Sequence, residues 1–144
     1  MRSWGLETMP RQARLLMAVA LGAASGSLLR YLSSLAALAL LGSGFAWGTL
    51  FVNVAGSFLI GLYSTLTEPD GRIMAGPILR QGVLTGFCGG FTTFSVFSLE
   101  TFLLLQAHAF GAAALNVAAS VLLWLVAVWV GYRIGTRLNR LKGS

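Results

Sequence analysis

Charge is scarce in this chain. Of its 144 residues only 10% are Asp, Glu, Lys or Arg, ten basic and four acidic. A soluble domain carries roughly 25% charged residues, so there is too little charge to cover a water-facing surface. Cysteine is rarer still: Cys88 stands alone, which excludes an internal disulfide and a thiolate zinc cluster and leaves it a small packing role. The single histidine, His108, falls in a loop without a carboxylate nearby, and no HExxH or CxxC spacing and no phosphate loop occurs. Hydrolytic, redox and nucleotide-driven chemistry therefore lack their usual residues. The chain does not read as an enzyme.

What remains is apolar: 56% of residues are hydrophobic and the mean hydropathy is +0.79. Four long apolar runs cover residues 15–41, 49–66, 77–106 and 112–135, each near or above the ~20 residues that cross a bilayer. The first runs well past the short apolar core of a signal peptide, so it is expected to be a spanning helix. Glycine-punctuated residues 42–48, the turn-rich TEPDGR at 67–72 and the short link 107–111 separate the runs. No soluble domain, internal repeat or low-complexity tract interrupts them, so residues 1–144 read as a single all-α membrane domain of four transmembrane helices. The basic tail 137–144 is expected to fray.

The net charge of +6 could suggest nucleic acid, but the basic residues sit mostly at the ends of apolar runs, where topology and lipid headgroups explain them. With four spans, both termini and the loop between the second and third spans share one side. That side carries Arg2, Arg11, Arg14, Arg72, Arg80, Arg133, Arg137, Arg140 and Lys142, against at most Arg30 on the other. The positive-inside rule places both termini in the cytoplasm.

The third run is too long for a straight crossing, since about thirty helical residues reach ~45 Å against a ~30 Å hydrocarbon core. At its middle stands GFCGGFTTFSVFS, residues 86–98, with three glycines, four hydroxyls and four phenylalanines in thirteen positions. Glycines weaken helices and β-branched threonines add little to them. The spacing predicts a helix broken mid-membrane at the glycine–threonine junction. In hydrocarbon such a break survives only when buried in protein or lining a cavity. Small residues also recur every four positions, at Gly22 and Gly26, at Gly82, Gly86 and Gly90, and at Gly131 and Gly135. Such stripes let membrane helices approach closely, and packing is the role expected of them. Four short helices enclose little, so close self-association is also expected.

Polar residues within the spans are costly and default to functional candidates. They are Arg30, Asn53, Thr92, Thr93, Ser95, Ser98, Glu100, Asn116 and Ser120. Arg30 could snorkel to an interface or draw anions into a wet vestibule. Glu100 could pair with an arginine, and Asn53 could bond helix to helix. Asn116 and Ser120 lie one turn apart, a polar strip that serves as packing glue or as a pathway. Phe94 and Phe97 share a helical face directly after the break. Ring edges carry positive quadrupole charge, so two such rings could hold a small anion without a fixed cation to trap it.

These residues carry a family resemblance. GAASGSLLRY (22–31), GTLFVNVAGSFLIG (48–61) and GFCGGFTTFSVFSLET (86–101) resemble the CrcB/Fluc family of fluoride channels, the third block most specifically. Together with the four-span layout the likeness covers nearly the whole chain, leaving out the residues before Leu15 and the tail. It implies an antiparallel, dual-topology dimer of four-helix subunits with two narrow fluoride pores, in the cytoplasmic (inner) membrane of a prokaryote. It implies a fluoride pathway with Phe94 and Phe97 as pore rings and Asn53 as an amide donor. Hydroxyls such as those of Thr93 and Ser98 would help replace lost water, with Arg30, Asn116, Ser120 and Glu100 at matching family positions. It further implies a structural sodium ion (Na+) between subunits, bound by backbone carbonyls at Gly89 and Thr92. Val96, where the family commonly has threonine, and Ala23, where glycine is usual, are departures.

Conduction is expected to be passive, lowering cytoplasmic fluoride. The one-sided charge is awkward for a chain that inserts both ways, so its partner is either itself, as an antiparallel homodimer, or an oppositely oriented homologous subunit. Two other classes compete. A small four-helix multidrug or cation exporter would need an acidic residue in the first helix, which carries Arg30 instead. A non-transporting membrane assembly subunit would leave the helix break without a purpose.

Overall fold

A computed structural model describes residues 9–140, and among these there are helices and no strands. Helix α1 spans Arg11–Leu41 and α2 spans Trp47–Leu66. Helix α3 covers residues 77–91, α4 spans Phe94–Gln106 and α5 spans Phe110–Arg140. Helices α3 and α4 together make one broken crossing, Pro77–Gln106, so four stretches are long and apolar enough to traverse a bilayer.

The ends of these helices follow from local chemistry. Pro77 occupies the first turn of α3 behind an extended Gly76, where a missing N–H does no harm. Helix α1 stops at Gly42, whose φ of 74° an L side chain would resist. Helices α1, α2 and α5 run a little beyond the expected spans. Residues 137–140, expected to fray, instead complete α5. Asn139 holds that end: its Nδ2 donates to the Thr65 carbonyl at 2.8 Å and its Oδ1 accepts the Arg72 N–H at 2.8 Å. Residues 141–144, with Lys142, and residues 1–8, with Arg2, lie outside the described residues.

The helices pack as two close pairs, α1 on α3 and α2 on α5, with α4 leaning on α5. Both pairs meet along the small-residue stripes. A methyl group on Gly22 would lie 2.2 Å from the Gly82 carbonyl oxygen, and one on Gly131 would lie 2.3 Å from that of Phe58. The seams thus bring backbone against backbone, as the four-residue spacing implied.

The break is narrower than its motif. Gly89 and Gly90, expected to belong to it, are helical, with Gly89 at φ −64°, ψ −37°. Gly90 serves the α1 seam instead, where a methyl would come 2.4 Å from the Ala23 carbonyl oxygen. Only Thr92 (φ −85°, ψ 160°) and Thr93 (φ −150°, ψ 122°) leave the helix. Extended backbone suits β-branched residues, which is why the threonines break the helix and the glycines do not. Residues Gly82–Cys88 before it form a π-helical stretch, which the sequence pattern does not announce.

Candidate ion pathway

The break is held by one side chain. Asn53, buried on α2, faces the extended pair and grips the peptide groups of Thr93: Nδ2 donates to its carbonyl at 2.8 Å, and Oδ1 accepts its N–H at 2.7 Å. That N–H would otherwise have closed a turn onto the Gly89 carbonyl. Thr93 then caps α4, its Oγ1 accepting the Val96 N–H at 3.2 Å. Since the cap replaces the backbone acceptor, the Thr92 carbonyl also lacks a helical donor. Of the carbonyls stripped of a helical donor at the break, those of Gly89, Phe91 and Thr92 are left free, while that of Gly90 accepts the Ser27 hydroxyl at 3.4 Å.

Most hydroxyls around it are already committed. Thr92 Oγ1 donates to the Cys88 carbonyl at 2.9 Å, and Ser98 Oγ to that of Phe94 at 2.9 Å. Thr93 Oγ1 and Ser95 Oγ contact each other at 3.2 Å. Asn53 Nδ2 has spent one of its two hydrogens and keeps the other.

Phe94 and Phe97 do share a face, with ring centroids 5.6 Å apart and planes tilted by 49°. Their environments differ sharply. Phe94 is 71% exposed on the outer face of this chain, whereas Phe97 is 6% exposed and meets the Trp124 ring edge-on at 4.9 Å. A cavity of about 220 Å³ lies beside Phe94, lined by Asn53, Ser57, Thr92, Thr93, Phe94 and Trp124 among others, and Phe97 stands behind Trp124 rather than in the cavity wall.

Asn116 and Ser120 are both buried on α5. Asn116 Nδ2 donates to Thr101 Oγ1 at 2.9 Å, and Thr101 Oγ1 donates in turn to the Phe97 carbonyl at 2.8 Å, so the polar strip reaches the second ring through α4. Glu100 pairs with no arginine; its Oε1 accepts the Thr49 hydroxyl at 2.8 Å, and Oε2 is buried without a partner. Glu100 and Thr49 line a second cavity of about 500 Å³ under residues 42–48, where α1 gives way to α2. Arg30 lines neither cavity; it is half-buried, with Nε lacking a partner.

Two residues here escaped the sequence reading. Thr49 lies four positions before Asn53, and Trp124 four positions after Ser120, so each extends a polar strip by one helical turn. That spacing is the signal that could have found them.

A small four-span helical membrane protein, with a broken helix, paired rings and a mainly apolar cavity at the break that carries a few polar groups, is the class these features define. The family model described as CrcB-like protein, Camphor Resistance (CrcB), matches residues 17–132. The chain is 52% identical over 139 residues to fluoride-specific ion channel FluC 1 of Rhodopseudomonas palustris strain BisB18, covering 96% of this chain and 99% of that protein. It is 52% identical over 134 residues to FluC 1 of Bradyrhizobium diazoefficiens, covering 93% of each. It is 51% identical over 126 residues to FluC of Opitutus terrae, covering 88% of this chain and 96% of the relative. This chain belongs to the CrcB family.

Proposed function

We propose that this protein is a fluoride channel, not an enzyme, that lets F− leave the cytoplasm down its electrochemical gradient through the cytoplasmic membrane. The observation that carries the reading is the junction of Asn53, Phe94, Phe97 and the cavity at the helix break, in a chain half-identical to proteins named fluoride-specific ion channels. Fluoride holds its water strongly, so a dry path must offer donors and ring edges in return. The spare Asn53 N–H and the two rings supply both kinds. None of them carries a formal positive charge that would hold the ion in place.

The functional unit is a pair of chains in opposite orientation, break against break. Support comes from the freed Gly89 and Thr92 carbonyls, because an unsatisfied carbonyl facing lipid costs several kcal/mol. A second copy crossing there would bury both sets. The exposed Phe94 would then also be covered by protein. Carbonyl oxygens without a carboxylate can replace the hydration shell of a monovalent cation, which supports sodium as the occupant. Bound there, Na+ would supply the positive charge that neutral carbonyls require; Gly89 and Thr92 are the residues of this chain that would hold it.

The decisive experiment is fluoride efflux from liposomes containing the purified protein, with chloride as control. Rapid fluoride-selective efflux is expected, and its absence would refute the channel reading. A second arm addresses the partner, since nine of ten basic residues lie on one side. Tags on each terminus should be accessible from both faces of the membrane. Access from the cytoplasmic face alone would replace the homodimer by pairing with an oppositely oriented homologue.

A further inference from the structure

We propose that Trp124 is a donor in the anion path, its indole N–H donating a hydrogen bond to fluoride beside Phe97. The inference rests on the channel reading and deepens it. Trp124 lines the cavity at the break together with Asn53 and Thr93. Its Nε1 is buried and has no hydrogen-bond partner. Buried indole N–H groups normally find an acceptor, and leaving a buried donor unpaired costs about 1–3 kcal/mol. An acceptor is therefore missing at this position.

A census of donors narrows what that acceptor is. The hydroxyls of Thr92 and Ser98 are returned to carbonyls of their own helices, and Thr49 is held by Glu100. The Thr93 amide is held by Asn53. Beside the Ser57 hydroxyl and the Phe94 main-chain N–H, the unspent side-chain N–H donors around this cavity are the second hydrogen of Asn53 and the indole of Trp124, on the packed helices α2 and α5. A small, acceptor-only ion between them satisfies both. Trp124 also continues the buried Asn116 and Ser120 strip by one turn, and its ring fixes Phe97 edge-on. It thus joins the polar strip to the ring pair.

The test uses liposomes and the whole protein. Trp124→Phe keeps an aromatic ring against Phe97 and removes only the N–H, and should lower fluoride efflux about tenfold. Efflux equal to or faster than that of the unaltered protein overturns the proposal. No efflux from the unaltered protein overturns the channel reading, and this inference with it. A second readout separates a donor from a packing ring and leaves Trp124 itself unchanged. With Trp4, Trp47 and Trp129 changed to Phe, Trp124 is the remaining fluorophore of the four. Sodium fluoride should then shift its emission where sodium chloride does not. A response common to both salts, or to neither, overturns the assignment.

Discussion

The seam between α1 and α3 and the break between α3 and α4 occupy one glycine-rich stretch, yet they treat the backbone in opposite ways. At the seam the helix keeps its own hydrogen bonds, and the absence of side chains lets a neighbour approach to contact. Gly22, Gly86 and Gly90 leave no space for a methyl group there. At the break the helix gives up its bonds, and a side chain from forty residues away replaces part of them. The seam is closed and self-sufficient. The break is open, with carbonyls, main-chain N–H groups and an amide hydrogen left over. Rigid packing lies immediately beside unsatisfied polarity, which is what positions a site without filling it.

The largest way to disturb this contrast is to force the seam apart. In Gly22→Val the Cβ would sit 2.2 Å from the Gly82 carbonyl oxygen and 2.8 Å from the Phe87 nitrogen, both backbone atoms that cannot rotate away. Overpacking of this kind costs about 1–3 kcal/mol or more, and the upper end is expected here. Melting of the purified protein in detergent, followed by tryptophan fluorescence, should show it. A melting point equal to that of the unaltered protein would mean the seam is looser than drawn.

Next comes the break. Asn53→Leu removes both bonds to Thr93, leaving a buried N–H and carbonyl without partners, a loss of about 2 kcal/mol. Fluoride flux should fall more than tenfold, because the cavity loses its amide and α4 loses its anchor. Asn53→Asp, which keeps an acceptor for the Thr93 N–H but offers no donor to its carbonyl, should be intermediate in stability. Equal stability of the two variants would show that the Thr93 N–H finds another acceptor.

How much of this was readable from the chain divides along the same line. The four spans were legible because apolar length is a local property, and the stripes because four-residue spacing places Gly22 and Gly26 on one face. The break was legible as an excess of length and fell directly before Phe94 as expected, but the glycines made it look wider than it is. Propensity measures what a residue does in isolation, and the contact of Gly90 with Ala23 outweighs it. The Asn53–Thr93 pairing and the meeting of Thr49 with Glu100 depend on how α2 lies against α4. No pattern within one helix encodes that. Trp124 looked like one more apolar residue until its unpaired N–H and its contact with Phe97 were visible.

The two phenylalanines sharpen the comparison further, because one belongs to each kind of region. Phe97 is packed against Trp124, so Phe97→Ile loses an aromatic pair worth about 0.5–1.5 kcal/mol. Phe94 is exposed on this chain, and Phe94→Ile should leave the melting point of the isolated subunit nearly unchanged. Both should still lower fluoride flux with the fold intact. Unchanged flux in both variants would return the rings to ordinary packing.

The smallest effect belongs to a glycine outside both regions. Gly111 lies in the first turn of α5, and a methyl group there would meet nothing within 4 Å. Gly111→Ala removes only the conformational freedom of the unfolded chain, and helical alanine is favoured over glycine by roughly 0.5–1 kcal/mol. The melting point should stay level or rise slightly, with fluoride flux unchanged. A side chain added at Gly22 does damage because of what lies opposite, not because a glycine was lost. A fall at Gly111 comparable to that at Gly22 would overturn this distinction, since it would mean that glycine content itself, rather than contact across the seam, holds the helices together.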